Sequence, residues 1–166
     1  MRVADVLARV LAAAGVRHAF GIPGGEILTL IDAFGAAGIQ FVTARHETAA
    51  GLMAEGTALA TRAPGLLAVT VGPGLTNAIN AVANAHLDRV PLIVCSGAPE
   101  GCFTHQVLDQ RAMLQPLVKA SFQVNASNAQ YAVHRAIELA LAHPRGPVQL
   151  DLAPSVARMQ VEPTEN

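Results

Sequence analysis

The sequence predicts an α/β fold, a parallel sheet covered by helices on both faces. Two observations carry this reading. Strand-like stretches alternate with helical stretches six times along the chain, the pattern of a sheet whose crossovers are helices. The stretches at 66–71 and 91–96 are continuously apolar, as strands buried on both faces must be.

The elements follow in order. Residues 3–14 have apolar side chains recurring at three and four, an amphipathic helix that Gly15 ends. A short strand at 18–22 runs into the turn Pro23-Gly24-Gly25, and 27–37 is helical again. A strand at 41–44 delivers Arg45-His46-Glu47, and the Ala-, Leu- and Met-rich stretch 48–62 is a helix stopped by Ala63-Pro64-Gly65. The strand at 66–71 meets Gly72-Pro73-Gly74, which turns into a helix at 75–86. Next come a buried strand at 91–96, a loop at 97–109, a short helix at 110–118 and a strand at 120–124. A helix at 129–142 and a last strand at 147–152 complete the domain over 1–153. Residues 154–166 are polar and carry Pro154, Glu162, Pro163 and Glu165, a linker-like tail.

At 166 residues the chain suits one domain, large enough to need no disulfide or metal to fold. It is 52% hydrophobic and only 14% charged, which points to apolar surface meeting another subunit or domain. A net charge of −1 without a basic run argues against nucleic acid. Cys95 and Cys102 form no CxxC pair and read as free thiols in a reducing compartment. Asp5 and Arg9 interrupt the apolar start, so it is not read as a signal peptide. The apolar stretch 65–86 contains GPG and several Asn and does not read as a membrane span. The chain is expected to be cytoplasmic.

Ligands of such sheets bind beyond the carboxyl ends of the strands. Three unusual loops lie there: Gly21-Ile22-Pro23-Gly24-Gly25, Arg45-His46-Glu47 and Gly72 to Asn77. Their glycines permit close approach of a flat ligand to backbone. A dinucleotide fingerprint is not supported, because Asn77 stands where the third glycine belongs. No GxxxxGK[ST] occurs, and His46, His86, His105, His134 and His143 lack metal-ligand spacing. By position alone Glu47 is a helix N-terminal carboxylate held by the dipole.

The constellation says more. GIPGG, RHE, VGPGLTN, DRVPLIV and GPVQLDL, in this order, closely resemble the N-terminal pyrimidine-binding domain of thiamine diphosphate enzymes. The resemblance is to the group that includes acetolactate synthases and benzoylformate decarboxylase. It implies a three-layer α/β/α domain with a six-stranded parallel sheet that binds the cofactor's aminopyrimidine. It implies that Glu47 hydrogen-bonds ring nitrogen N1′ and so activates thiamine diphosphate for attack on a 2-keto acid. Aspartate would be a methylene too short for this role, and glutamine could not exchange the proton. By the same resemblance Ile22, Pro23, Gly24, Gly25, Thr70, Pro73 and Asn77 line the pyrimidine pocket. His105 and Gln106 fall at the substrate, where acetolactate synthases have FQE and this chain has His105-Gln106-Val107. Glu26 replaces a residue that is usually small in acetolactate synthases, and could face solvent or the substrate channel.

The resemblance also implies what this chain lacks. The diphosphate and its Mg2+ are held in that superfamily by a second domain with a GDG motif, and no GDG occurs here. The expected partners are therefore a diphosphate-binding domain of the same or another chain, a homo-oligomeric mate, and a 2-keto acid. FAD is left open. The chain reads as a carboligase or decarboxylase part, inactive alone. The alternatives are the α subunit of a split sulfopyruvate- or phosphonopyruvate-type decarboxylase, and a non-catalytic module of the same fold.

Overall fold

A computed structural model describes residues 1–100 and 106–162. Its centre is a six-stranded, all-parallel sheet of β1 (His18–Gly21), β2 (Gln40–Thr43), β3 (Gly65–Val69), β4 (Leu92–Gly97), β5 (Ser121–Gln123) and β6 (Pro147–Leu152). The order across the sheet is β2-β1-β3-β4-β6-β5. The α/β reading with helices on both faces holds.

Side-chain alternation sorts the strands' residues between two cores. Leu66, Ala68, Ile93, Cys95, Val148 and Leu150 face a layer formed by α1 (Val3–Ala13), α2 (Leu28–Ala36) and α6 (Ala129–Leu141). Leu67, Val69, Leu92 and Val94 face the opposite layer, where α3 (Glu47–Ala60), α4 (Pro73–Leu87) and the short α5 (Gln110–Leu114) lie. The period of two along each strand sends neighbours to opposite faces, so continuous apolar runs are what a doubly covered sheet requires.

Two boundaries shift in ways that matter for the site. β3 stops at Val69, leaving Thr70 in the turn, and α4 begins at Pro73 rather than Leu75. Proline suits the first helical position because that N–H would be unpaired anyway. The polar tail is not all extended linker. Residues Pro154–Arg158 form a further helix, α7, with Ala157 buried. Beyond it Val161 N–H donates to Met1 C=O at 2.8 Å, and Val3 N–H donates to Met159 C=O at 2.9 Å. Residues 154–161 thus fold back onto α1. Among the described residues no helix is long and apolar enough to cross a membrane.

Candidate active site

The chain passes from β1 to β2 on one side and later to β3 on the other. That reversal opens a crevice between the carboxyl ends of β1 and β3, the usual ligand position in such sheets. The loop after β1, the loop after β3 and the start of α3 all meet there.

Glu47 is the first residue of α3 and is only 8% exposed. His46 precedes it as N-cap, its Nδ1 accepting from Thr48 N–H at 3.2 Å. Glu47 Oε2 accepts a hydrogen bond from Asn77 Nδ2 at 3.1 Å. Thr48 Oγ1 in turn donates to Asn77 C=O at 2.6 Å, so both ends of Asn77 tie α4 to α3. Glu47 Oε1 takes no hydrogen bond from the described residues. A carboxylate oxygen held in place yet unpaired is available to a ligand donor.

Two glycines let Thr70 pack beside it. A Cβ on Gly74 would lie 2.2 Å from Thr70 Oγ1 and 3.7 Å from Glu47 Oε1. A Cβ on Gly24 would lie 2.4 Å from Thr70 Cγ2 and 3.5 Å from Glu26 Oε2. Glu26, Gly24, Thr70, Gly74 and Glu47 are therefore consecutive neighbours along one crevice. Gly72 has φ +60°, and a Cβ there would lie 2.2 Å from Gln106 C=O, so no other residue fits this turn. A flat ring with hydrogen-bonding edges suits this pair of groups, a lone carboxylate oxygen beside a threonine hydroxyl.

A second polar cluster holds the turn from below. Gln110 is 3% exposed. Its Oε1 accepts from Gly72 N–H at 2.7 Å, and its Nε2 donates to Gly97 C=O and to Asp151 Oδ1, both at 3.0 Å. Ser96 Oγ also donates to Asp151 Oδ1, at 2.7 Å. Burial raises the Asp151 pKa above the ordinary carboxylate range, against the two hydrogen bonds that lower it. Asp151 also lines a cavity of about 500 Å3 with Ala98, Gln123, Asn125 and Val156. Cys95, fully enclosed in β4, has its thiol pushed up to about 12 by burial.

The residues expected at the site are thus partly assembled. Gly24, Glu47, Thr70 and Asn77 converge, and Gln106 reaches Gly72 through its backbone. Ile22 is half-buried, Pro23 and Gly25 are exposed at the rim, and Pro73 opens α4. His105 lies outside the described residues, as does Cys102. Gln110 and Asp151 escaped the sequence reading. Asp151 had a visible signal, because Gln149 and Asp151 put two polar residues on one face of an otherwise apolar strand. Gln110 had none, since its three partners come from distant strand ends.

A family model described as "Thiamine pyrophosphate enzyme, N-terminal TPP binding domain" matches residues 1–138. The acetolactate synthase isozyme 3 large subunit of Escherichia coli is 40% identical over 155 residues, 90% of this chain and 27% of that protein. The acetolactate synthase large subunit of Lactococcus lactis is 36% identical over 163 residues, 95% of this chain and 28% of that protein. The probable 2-ketoarginine decarboxylase AruI of Pseudomonas aeruginosa is 42% identical over 125 residues, 70% of this chain and 22% of that protein. The chain thus spans about a quarter of the length of the curated relatives it matches.

Proposed function

As the chain belongs to the thiamine pyrophosphate enzyme family through its N-terminal TPP binding domain, we propose that it is the pyrimidine-binding part of a 2-keto acid carboligase or decarboxylase, with Glu47 as the proton-handling group. The observation that carries this is Glu47 Oε1, an unpaired oxygen on a nearly buried side chain beside Gly74 and Thr70. Thiamine diphosphate, when bound, supplies an electron sink for decarboxylation of 2-keto acids. Glu47 would hold a proton against the pyrimidine nitrogen, while Asn77 fixes the carboxyl through Oε2. Thr70, packed on Gly24 and Gly74, would bound the ring, with Ile22, Pro23, Gly25 and Pro73 at the rim. His105 and Gln106 are proposed to lie on the substrate side.

The cofactor's diphosphate and Mg2+ are assigned to a partner domain. The chain has no GDG, and the described residues hold no group of three His, Cys, Asp or Glu able to bind a metal ion. Exposed Leu52, Met53, Leu59 and Leu87 on α3 and α4 support association with that domain or with a second copy. The test is Glu47→Gln in the chain assembled with its diphosphate-binding domain. Turnover of 2-keto acids is expected to fall roughly a hundredfold or more, as when an acid–base group is removed. Unchanged turnover would overturn the role of Glu47.

A further inference from the structure

We infer that Glu26 selects the substrate, receiving the positive end of a 2-keto acid whose side chain carries an amine or guanidinium. This rests on the reading of the site given above and adds the substrate class to it. Glu26 is half-buried in the one-turn 3-10 helix Gly25–Ile27. It makes no hydrogen bond and no ion pair with any described residue. Residues 101–105, GCFTH, contain no Lys or Arg, and His105 is their one basic side chain.

Its direction is the deciding feature. Oε2 lies 3.5 Å from where a Cβ on Gly24 would stand, so the side chain folds back over the glycine turn. On its other side, Glu26 Cβ lies 2.7 Å from where a Cβ on Gly97 would stand, a space that only glycine leaves open. The start of a helix tolerates a negative charge, but a solvated carboxylate there has no reason to turn inward between two glycines. A carboxylate held there without a partner is free to pair with a cationic group of a ligand. Beyond Gly24 come Thr70, Gly74 and Glu47, so Glu26 and Glu47 bound one crevice, with no cation of the described residues bonded to either. A 2-keto acid reacting near Glu47 would send its side chain along this crevice. An aliphatic end would leave Glu26 unpaired, whereas a cationic end would neutralise it. Selection then works by penalising the wrong partner as well as by rewarding the right one.

The test uses the chain assembled with its diphosphate domain and cofactor. Substrates are 5-guanidino-2-oxopentanoate and its neutral counterpart 2-oxoheptanoate. The wild type is expected to favour the guanidino acid in kcat/KM. Glu26→Gln should lose roughly tenfold to a hundredfold on that substrate, the usual worth of a charged hydrogen bond, with little change on 2-oxoheptanoate. Equal losses on both would overturn the inference, since they would mean that Glu26 serves the fold or the cofactor's own cationic ring. Calorimetric titration with 5-guanidinopentanoate and heptanoate, which lack the keto group, gives a readout free of turnover. Tighter binding of the guanidino acid, erased by Glu26→Gln, would support the role of Glu26 even if no 2-keto acid were turned over. In that case the proposed reaction would fail and the cation site would stand. No difference between the two acids would overturn the cation site.

Discussion

On α3, two turns beyond Glu47, the carboxylate of Glu55 is nearly closed off from water, and only Oε2 is paired, with Asn84 Nδ2 at 2.8 Å. Oε1 is buried without a partner. Burial raises the Glu55 pKa, the Asn84 hydrogen bond opposes that, and the nearby charge of Asp88 adds to it. The folded chain therefore holds this proton to higher pH than the unfolded chain, whose glutamates titrate near about 4.3. The stability contributed is fully present below the unfolded pKa and is lost as pH rises through the folded one. Glu55→Gln should accordingly raise the urea midpoint at pH 8 and flatten its fall between pH 4 and 8. The flattening is partial, because Asp151 is shifted in the same direction by its own burial. A variant that keeps the full wild-type pH dependence would assign the effect to Asp151 alone. The two glutamates of α3 differ in how legible they are. Glu47 stands out at a strand end beside His46, whereas Glu55 reads as an ordinary helix charge. Its burial depends on Asn84, 29 residues away on a different helix.

At the level of elements, the site depends on how closely α3 and α4 approach, since one carries Glu47 and the other Asn77. Gly51 sets that distance: a Cβ there would lie 2.4 Å from Ala81 Cβ. Neither atom belongs to a flexible side chain, so Gly51→Ala must push the helices apart. Overpacking of this kind costs roughly 1–3 kcal/mol, and the better helix propensity of alanine returns up to about 1 kcal/mol. A net loss of about 1–2 kcal/mol is expected in urea denaturation. Ala81→Gly should cost less in the Gly51→Ala background than in the wild type, which a double-mutant cycle measures. Purely additive losses would show that the helices do not meet at these positions. The six strands and their covering helices were readable because apolar runs and glycine-proline punctuation are local signals. What was not readable is non-local. α7 is five residues long and begins at Pro154, which looks like linker until Ala157 is buried and the following backbone pairs with the N-terminus. The turn after Val69 is likewise tied non-locally, because Gly72 N–H donates to Gln110, 38 residues away.

For the whole molecule, the division of labour between this domain and its proposed partner sets what the chain should do alone. Its fold needs no outside help: the sheet is closed by apolar layers on both faces and its tail is tied back to its N-terminus. Its site is another matter. Glu47, Thr70 and the glycine backbone can meet a pyrimidine through one or two hydrogen bonds and modest apolar contact. Binding must also offset the loss of translational and rotational freedom, at least about 4 kcal/mol. The cofactor's strongest handle is its diphosphate, whose charge-assisted contacts are roughly twice as strong as neutral ones, and nothing described here is arranged to make them. The isolated chain should therefore melt cooperatively yet bind thiamine diphosphate with a Kd weaker than about 100 µM, with or without Mg2+, in calorimetric titration. Mixing with the diphosphate domain should restore tight, Mg2+-dependent binding, and Glu47→Gln should weaken binding in that assembly. Submicromolar affinity in the lone chain would require a phosphate site within these 166 residues, and the division between the two domains would have to be redrawn around it.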